Sequence, residues 1–67
     1  MLTVTVNTTE HEVEAGSVLE HLLARLELGG GRIAVEINGE IVPRSQFGSH
    51  ALQQGDKIEI VQAIGGG

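Results

Sequence analysis

Apolar and polar residues alternate with a period of two along Leu2-Thr3-Val4-Thr5-Val6, which predicts a half-buried strand with Leu2, Val4 and Val6 turned to a core. Asn7-Thr8-Thr9 is rich in turn formers, and Glu10-His11-Glu12-Val13-Glu14 alternates again. A second strand should therefore return beside the first, with Glu10, Glu12 and Glu14 on one side. The period then changes. Val18, Leu19, Leu22, Leu23 and Leu26 recur at helical spacing, predicting an amphipathic helix from Val18 to Leu28 with Glu20, His21, Arg25 and Glu27 mostly on its other side. Ser17 and Glu20 have the spacing of a capping box, in which the two side chains satisfy each other's backbone amides at a helix start. Gly29-Gly30-Gly31 should stop this helix; a phosphate-binding loop would precede a helix, whereas these glycines follow one.

Ile33, Val35 and Ile37 alternate with Ala34, Glu36 and Asn38 in a third strand, which runs into Asn38-Gly39, a pair that tolerates the positive φ of a tight hairpin turn. Glu40-Ile41-Val42 returns as a short fourth strand, ended or held at an edge by Pro43, which has no amide to donate. From Arg44 to Gln54 there is no clean period, and Phe47 and Leu52 are the expected anchors of an irregular crossover. Gly55-Asp56 then turns the chain into Lys57-Ile58-Glu59-Ile60-Val61, long enough to sit centrally. The first and last strands are the most consistently apolar; if they lie side by side they run parallel, and the helix can cover one face of the sheet. The expected class is α+β, a mixed five-stranded sheet with one principal helix packed on one face, the β-grasp layout. Residues 1–64 form the domain and 65–67 a flexible glycine tail.

Composition narrows the function. The chain has 67 residues, 40% of them apolar, with Phe47 as its single aromatic, so the core is largely aliphatic. A chain of this size buries only about 60% of its unfolded surface. Without cysteine there is no disulfide scaffold and no thiol nucleophile, which suits a reducing cytoplasm. Four Lys and Arg against nine Asp and Glu argue against nucleic acid and for a basic protein groove as partner. No stretch approaches the ~20 apolar residues of a membrane span. His11, His21 and His50 lack metal-ligand spacing, and Ser17, Ser45 and Ser49 have no nucleophile motif around them. The row of Glu10, Glu12 and Glu14 reads as a solvated strand face, so the chain is not expected to be an enzyme and needs no bound cofactor or metal.

The end of the chain is unusual. An Ile- and Val-rich strand runs to Ile64 and then to Gly65-Gly66-Gly67. Composition leaves two readings open, a frayed or vestigial terminus and a functional arm. Three extended glycines reach ~10 Å without a side chain, so they can thread a narrow channel and present a carboxylate to another protein's active site. A carboxylate is a poor electrophile and needs activation, most simply as a mixed anhydride with AMP, before a partner's nucleophile can attack it. Beside this arm the alternation of Ile58 and Ile60 slips at Val61. Val61, Ala63 and Ile64 are therefore expected to expose an apolar partner surface, unless a bulge keeps them in the core.

Gly16-Ser17-Val18-Leu19-Glu20-His21-Leu22-Leu23, Val35 through Arg44 with its Asn-Gly-x-x-Val-Pro-Arg segment, Leu52 through Val61, and Ala63-Ile64-Gly65-Gly66-Gly67 together resemble the ThiS family. These are the ubiquitin-like β-grasp sulfur carriers of thiamin biosynthesis, and the resemblance covers essentially the whole chain. It implies a carrier rather than a catalyst. Gly67 would be adenylated by an E1-like enzyme that consumes ATP, while Gly65 and Gly66 thread the partner's active site. Sulfur from a donor protein's persulfide would convert the terminus to a thiocarboxylate, and thiazole synthase would consume it. The rivals are a carrier of another pathway such as molybdopterin synthesis, a noncovalent β-grasp adaptor, and a protein modifier that forms isopeptide bonds.

Overall fold

The computed structural model describes residues 1–28 and 31–62. Strands β1 (Leu2–Val6) and β2 (Thr9–Val13) form the first hairpin, followed by helix α1 (Leu19–Arg25), then β3 (Ile33–Ile37) and β4 (Glu40–Val42). A 3-10 turn at Arg44–Gln46 leads through an irregular crossover to β5 (Lys57–Gln62). The five strands form one sheet in the order β2-β1-β5-β3-β4. Its central pair, β1 and β5, is parallel, with Thr5 opposite Lys57 and Val6 opposite Ile58, while every other pair is antiparallel. This is the expected β-grasp arrangement, because a chain that ends beside its first strand after an even number of hairpin reversals and one helical crossover can only meet it in parallel.

One face of the sheet carries the core. Val4, Val6, Val13, Val35, Ile37, Val42, Ile58 and Ile60 meet Leu19, Leu22 and Leu23 of α1, with Phe47 and Leu52 of the crossover closing the ends. All five strands thus turn their alternate side chains toward a single helix, and the other face is left to solvent.

The helix is shorter than its apolar stripe, and both of its ends differ from expectation. No side-chain cap forms at Val18, the N-cap residue. Ser17 N donates to Glu14 O at 3.0 Å, so the capping-box partner of Glu20 is already taken. The first helical amides instead find carbonyls of the crossover: Leu19 N to His50 O and Glu20 N to Phe47 O, both 2.9 Å. Leu52 N returns a bond to Ser17 O at 2.9 Å, and Val18 bridges Ala51. A docked backbone thereby meets the hydrogen-bonding need of a helix start that a side chain usually meets.

At the other end the helix stops before its glycines. Leu28 N reaches Leu23 O at 2.8 Å and Glu27 N reaches Ala24 O at 3.1 Å, the paired bonds of a Schellman motif. The left-handed position falls on Glu27, at φ 60°, rather than on glycine. Leu28 packs against the core as that motif's apolar contact. Gly29 and Gly30 lie outside the described residues.

A non-glycine residue in the left-handed region costs ~1–2 kcal/mol, part of which a glycine gives back through its more flexible unfolded chain. Glu27→Gly should therefore raise the unfolding free energy by about 0.5 kcal/mol, and Glu27→Val should lower it, since β-branched residues tolerate positive φ worst. Urea denaturation of the two variants checks the sign; equal midpoints would show that Glu27 is not strained.

Candidate functional site

The chain runs toward its glycine tail out of β5, so the placement of that strand decides what surrounds the tail. At its base, β5 is held by two turn asparagines and a buried carboxylate. Asn38 (φ 53°) and Gly39 (φ 85°) form the predicted tight turn between β3 and β4. Asn38 Oδ1 accepts from Lys57 N at 3.0 Å, and its Nδ2 donates to Asp56 Oδ1 at 3.0 Å. Asp56, 6% exposed, also accepts from Gln53 N at 2.8 Å, so its buried oxygens are matched by donors. Asn7, also left-handed, accepts from Ile60 N at 2.9 Å through Oδ1, just where β1 has ended and β5 continues without it.

Held in this way, β5 keeps its alternation to its last described residue. Ile58 and Ile60 are buried; Lys57, Glu59 and Val61 point to the open face. The pairing with β3 runs unbroken from Ile37 opposite Ile58 to Ile33 opposite Gln62, so no bulge returns Val61 to the core. Val61 is 66% exposed, as expected of a partner-surface residue, and stands opposite Ala34. Ile41 of β4, 74% exposed, lies on the same face opposite Glu36, which is in turn opposite Glu59. Gly65, Gly66, Gly67, Ala63 and Ile64 lie outside the described residues.

Between Val61, Ala34, Ile33, Arg32 and Arg44 is an open cleft of about 410 Å³. Arg44 is fixed as one wall: its Nη2 donates to Gly31 O at 2.6 Å, and its guanidinium carbon lies 5.8 Å from the centre of the Phe47 ring. Two of the chain's four basic residues thus border the surface next to the tail. Neither arginine stood out in the sequence, although the Asn38-Gly39 turn already places Ala34 one step beyond the Val35–Val42 pair, level with Pro43 and next to Arg44.

The acidic residues are more dispersed than expected. Glu10 and Glu12 do share the open face, opposite Thr5 and Thr3. Glu14 lies beyond the end of β2, and Lys57 stands opposite Thr5, between Glu10 and the strand that carries Glu59. A second cleft, about 210 Å³, is lined by Val13, Glu14, Ser17, His21, Leu22 and Arg25; there Arg25 Nη1 donates to Glu12 O at 2.9 Å and covers the outer edge of β2. No group of three His, Cys, Asp or Glu among the described residues could hold a metal ion. His11, His21 and His50 sit on β2, on α1 and in the crossover.

A model of the ThiS family matches residues 3–67. A thiazole synthase of Magnetococcus marinus is 44% identical over 62 residues, 92% of this chain and 19% of that protein. The chain thus spans about a fifth of the length of such relatives. The sulfur carrier protein ThiS of Escherichia coli is 38% identical over 61 residues, 91% of this chain and 92% of that one. The crystal structure of the thiamine biosynthesis protein ThiS from Geobacter metallireducens superposes with a TM-score of 0.81 at 29% identity, covering 98% of this chain and 100% of that one.

The opposed faces of two neighbouring residues offer a direct test of this geometry. Val61→Ser should change stability by less than ~0.5 kcal/mol because Val61 is already in water, whereas Ile60→Ala should cost ~2–4 kcal/mol through the cavity it leaves. Thermal melts of both variants decide it, and a large loss on Val61→Ser would place that side chain inside.

Proposed function

Because the chain belongs to the ThiS family, we propose that it is a sulfur carrier of thiamin biosynthesis whose terminal residue, Gly67, holds the sulfur as a thiocarboxylate. The observation that carries this reading is the end-to-end likeness to the Escherichia coli sulfur carrier, with a family match that runs through Gly67. The thiazole synthases that contain a segment like this one support thiazole synthase as the recipient.

The chemistry follows from the weakness of a carboxylate as an electrophile. An E1-like partner joins the Gly67 carboxylate to the α-phosphorus of ATP, releasing pyrophosphate and leaving an acyl adenylate. A donor protein's persulfide sulfur then attacks the carbonyl carbon, and AMP departs with the bonding pair. A thiol cleaves the resulting acyl disulfide, which leaves the thiocarboxylate on Gly67 and a disulfide on the donor side. The chain supplies no catalytic side chain to these steps and binds no cofactor; ATP belongs to the activating partner. Its own contributions are placement and a lack of competition. Gly65 and Gly66 pass through a narrow channel, Val61 with Ala63 and Ile64 meets the partner surface, and a chain without cysteine has no internal thiol to intercept the activated acyl group. A cytoplasmic setting fits the supply of ATP and persulfide, and no helix among the described residues is long and apolar enough to cross a membrane.

Incubation with the activating enzyme, ATP and a sulfur source should exchange one terminal oxygen for sulfur, read in the intact mass. Deleting Gly66 and Gly67 should leave the melting curve nearly unchanged and abolish that exchange, because the carboxylate retracts by ~7 Å at ~3.5 Å per residue, far beyond the tolerance of a reacting geometry. Full exchange in the deletion variant would show that Gly67 does not carry the sulfur.

A further inference from the structure

The cleft at the end of β5 has a composition unlike the rest of the surface. Its floor is aliphatic, from Val61, Ala34 and Ile33, and its rim carries the guanidinium groups of Arg32 and Arg44 on a chain of net charge −5. Such a cleft fits an aliphatic side chain followed closely by a carboxylate. The chain carries that combination directly beyond β5, as Ile64 and the terminal carboxylate of Gly67.

We propose that the tail docks in cis, with Ile64 on the Val61–Ala34 floor and the Gly67 carboxylate on Arg44, so that the free carrier exchanges between a parked and an extended end. The terminal carboxylate is taken from the carrier reading above; the docking itself does not depend on sulfur chemistry. Reach and turning are both available. Arg44 follows Pro43, which lies two strand spacings from β5, or ~10 Å, whereas five residues span up to ~17 Å. The three glycines allow the reversal that brings the end back across the sheet. A guanidinium has five donors, and the bond from Arg44 to Gly31 O uses one of them. One row further in, Glu36 and Glu59 face each other across β3 and β5 on the open face and repel a carboxylate, which leaves the arginine rim as its favoured position.

The consequence for function is a competition. A partner must capture the extended form, and a tail parked in about three quarters of the molecules weakens its apparent affinity about fourfold. The same apolar residues then serve the parked state in the free carrier and the partner surface in the complex.

The test uses the isolated ¹⁵N-labelled chain, with no enzyme present, so its outcome is independent of sulfur loading. Amide shifts are compared between the full chain, a chain ending at Gln62, and a full chain whose Gly67 carboxylate is converted to the carboxamide. Docking in cis moves the Ala34 and Arg44 amides on truncation, moves them part of the way on amidation, and makes Arg44→Gln insensitive to amidation. The free peptide Ala-Ile-Gly-Gly-Gly, added to the truncated chain, should shift the same amides. Differences confined to Val61 and Gln62, or an Ala34 and Arg44 response only when an enzyme partner is added, would overturn the proposal and assign the cleft to that partner.

Discussion

Everything on the functional side of this molecule depends on the register of β5. A slip of one residue would turn Ile58 and Ile60 to water and Val61 to the core, and the surface beside the tail would exchange its character. The register is held from both flanks. Thr5 N bonds to Asp56 O at 2.9 Å and Asn7 N to Ile58 O at 2.7 Å on one side, while the pairing with β3 spans the whole strand on the other. The side chains of Asn7 and Asn38 then claim two further amides of the same strand, at Ile60 and Lys57. Asp56 matters because its carboxylate is buried and acts on two segments at once, joining the β3–β4 turn to the loop that enters β5.

A chain this small cannot rely on core volume alone, and it compensates with backbone that serves more than one element. The crossover after β4 inserts Phe47 and Leu52 into the core and also supplies the carbonyls that receive the first amides of α1. Helix and crossover therefore cover the same face of the sheet and brace each other. The opposite face stays open along its full width, and the tail leaves from the middle of the sheet, where strands on both sides hold its origin. A carrier whose end must be delivered accurately to a partner gains from an origin on a central strand, because an edge strand would move more freely.

The same arrangement places charge and apolar surface in separate zones of the open face. Glu10 and Glu12 lie toward the β2 edge, while Val61, Ala34 and the two arginines lie near the exit of the tail. Arg44 joins these zones to the fold, since its hydrogen bond to Gly31 and its stacking on Phe47 tie the start of β3 to the crossover. The wall of the cleft is therefore part of the packed structure, and not a loose surface side chain.

The sequence alone was enough to determine the strands, the helix, the Asn38-Gly39 turn, the anchors Phe47 and Leu52, and the outward Val61, because each is encoded by a local period or by the backbone preference of one or two residues. It also pointed to Gly67 through a resemblance that local chemistry could only make plausible. Tertiary structure decided the rest, where a local preference met a better long-range partner. Ser17 and Glu20 have the spacing of a cap, yet the carbonyls of Phe47 and His50, some thirty residues away, reach the helix amides instead. Glu27 takes the left-handed turn expected of glycine because the Leu28 contact with the core closes the helix at that point. Arg32 and Arg44 border one cleft only because β3 pairs with both β4 and β5, and pairing between distant strands depends on shapes and hydrogen bonds that exist only after the sheet has formed.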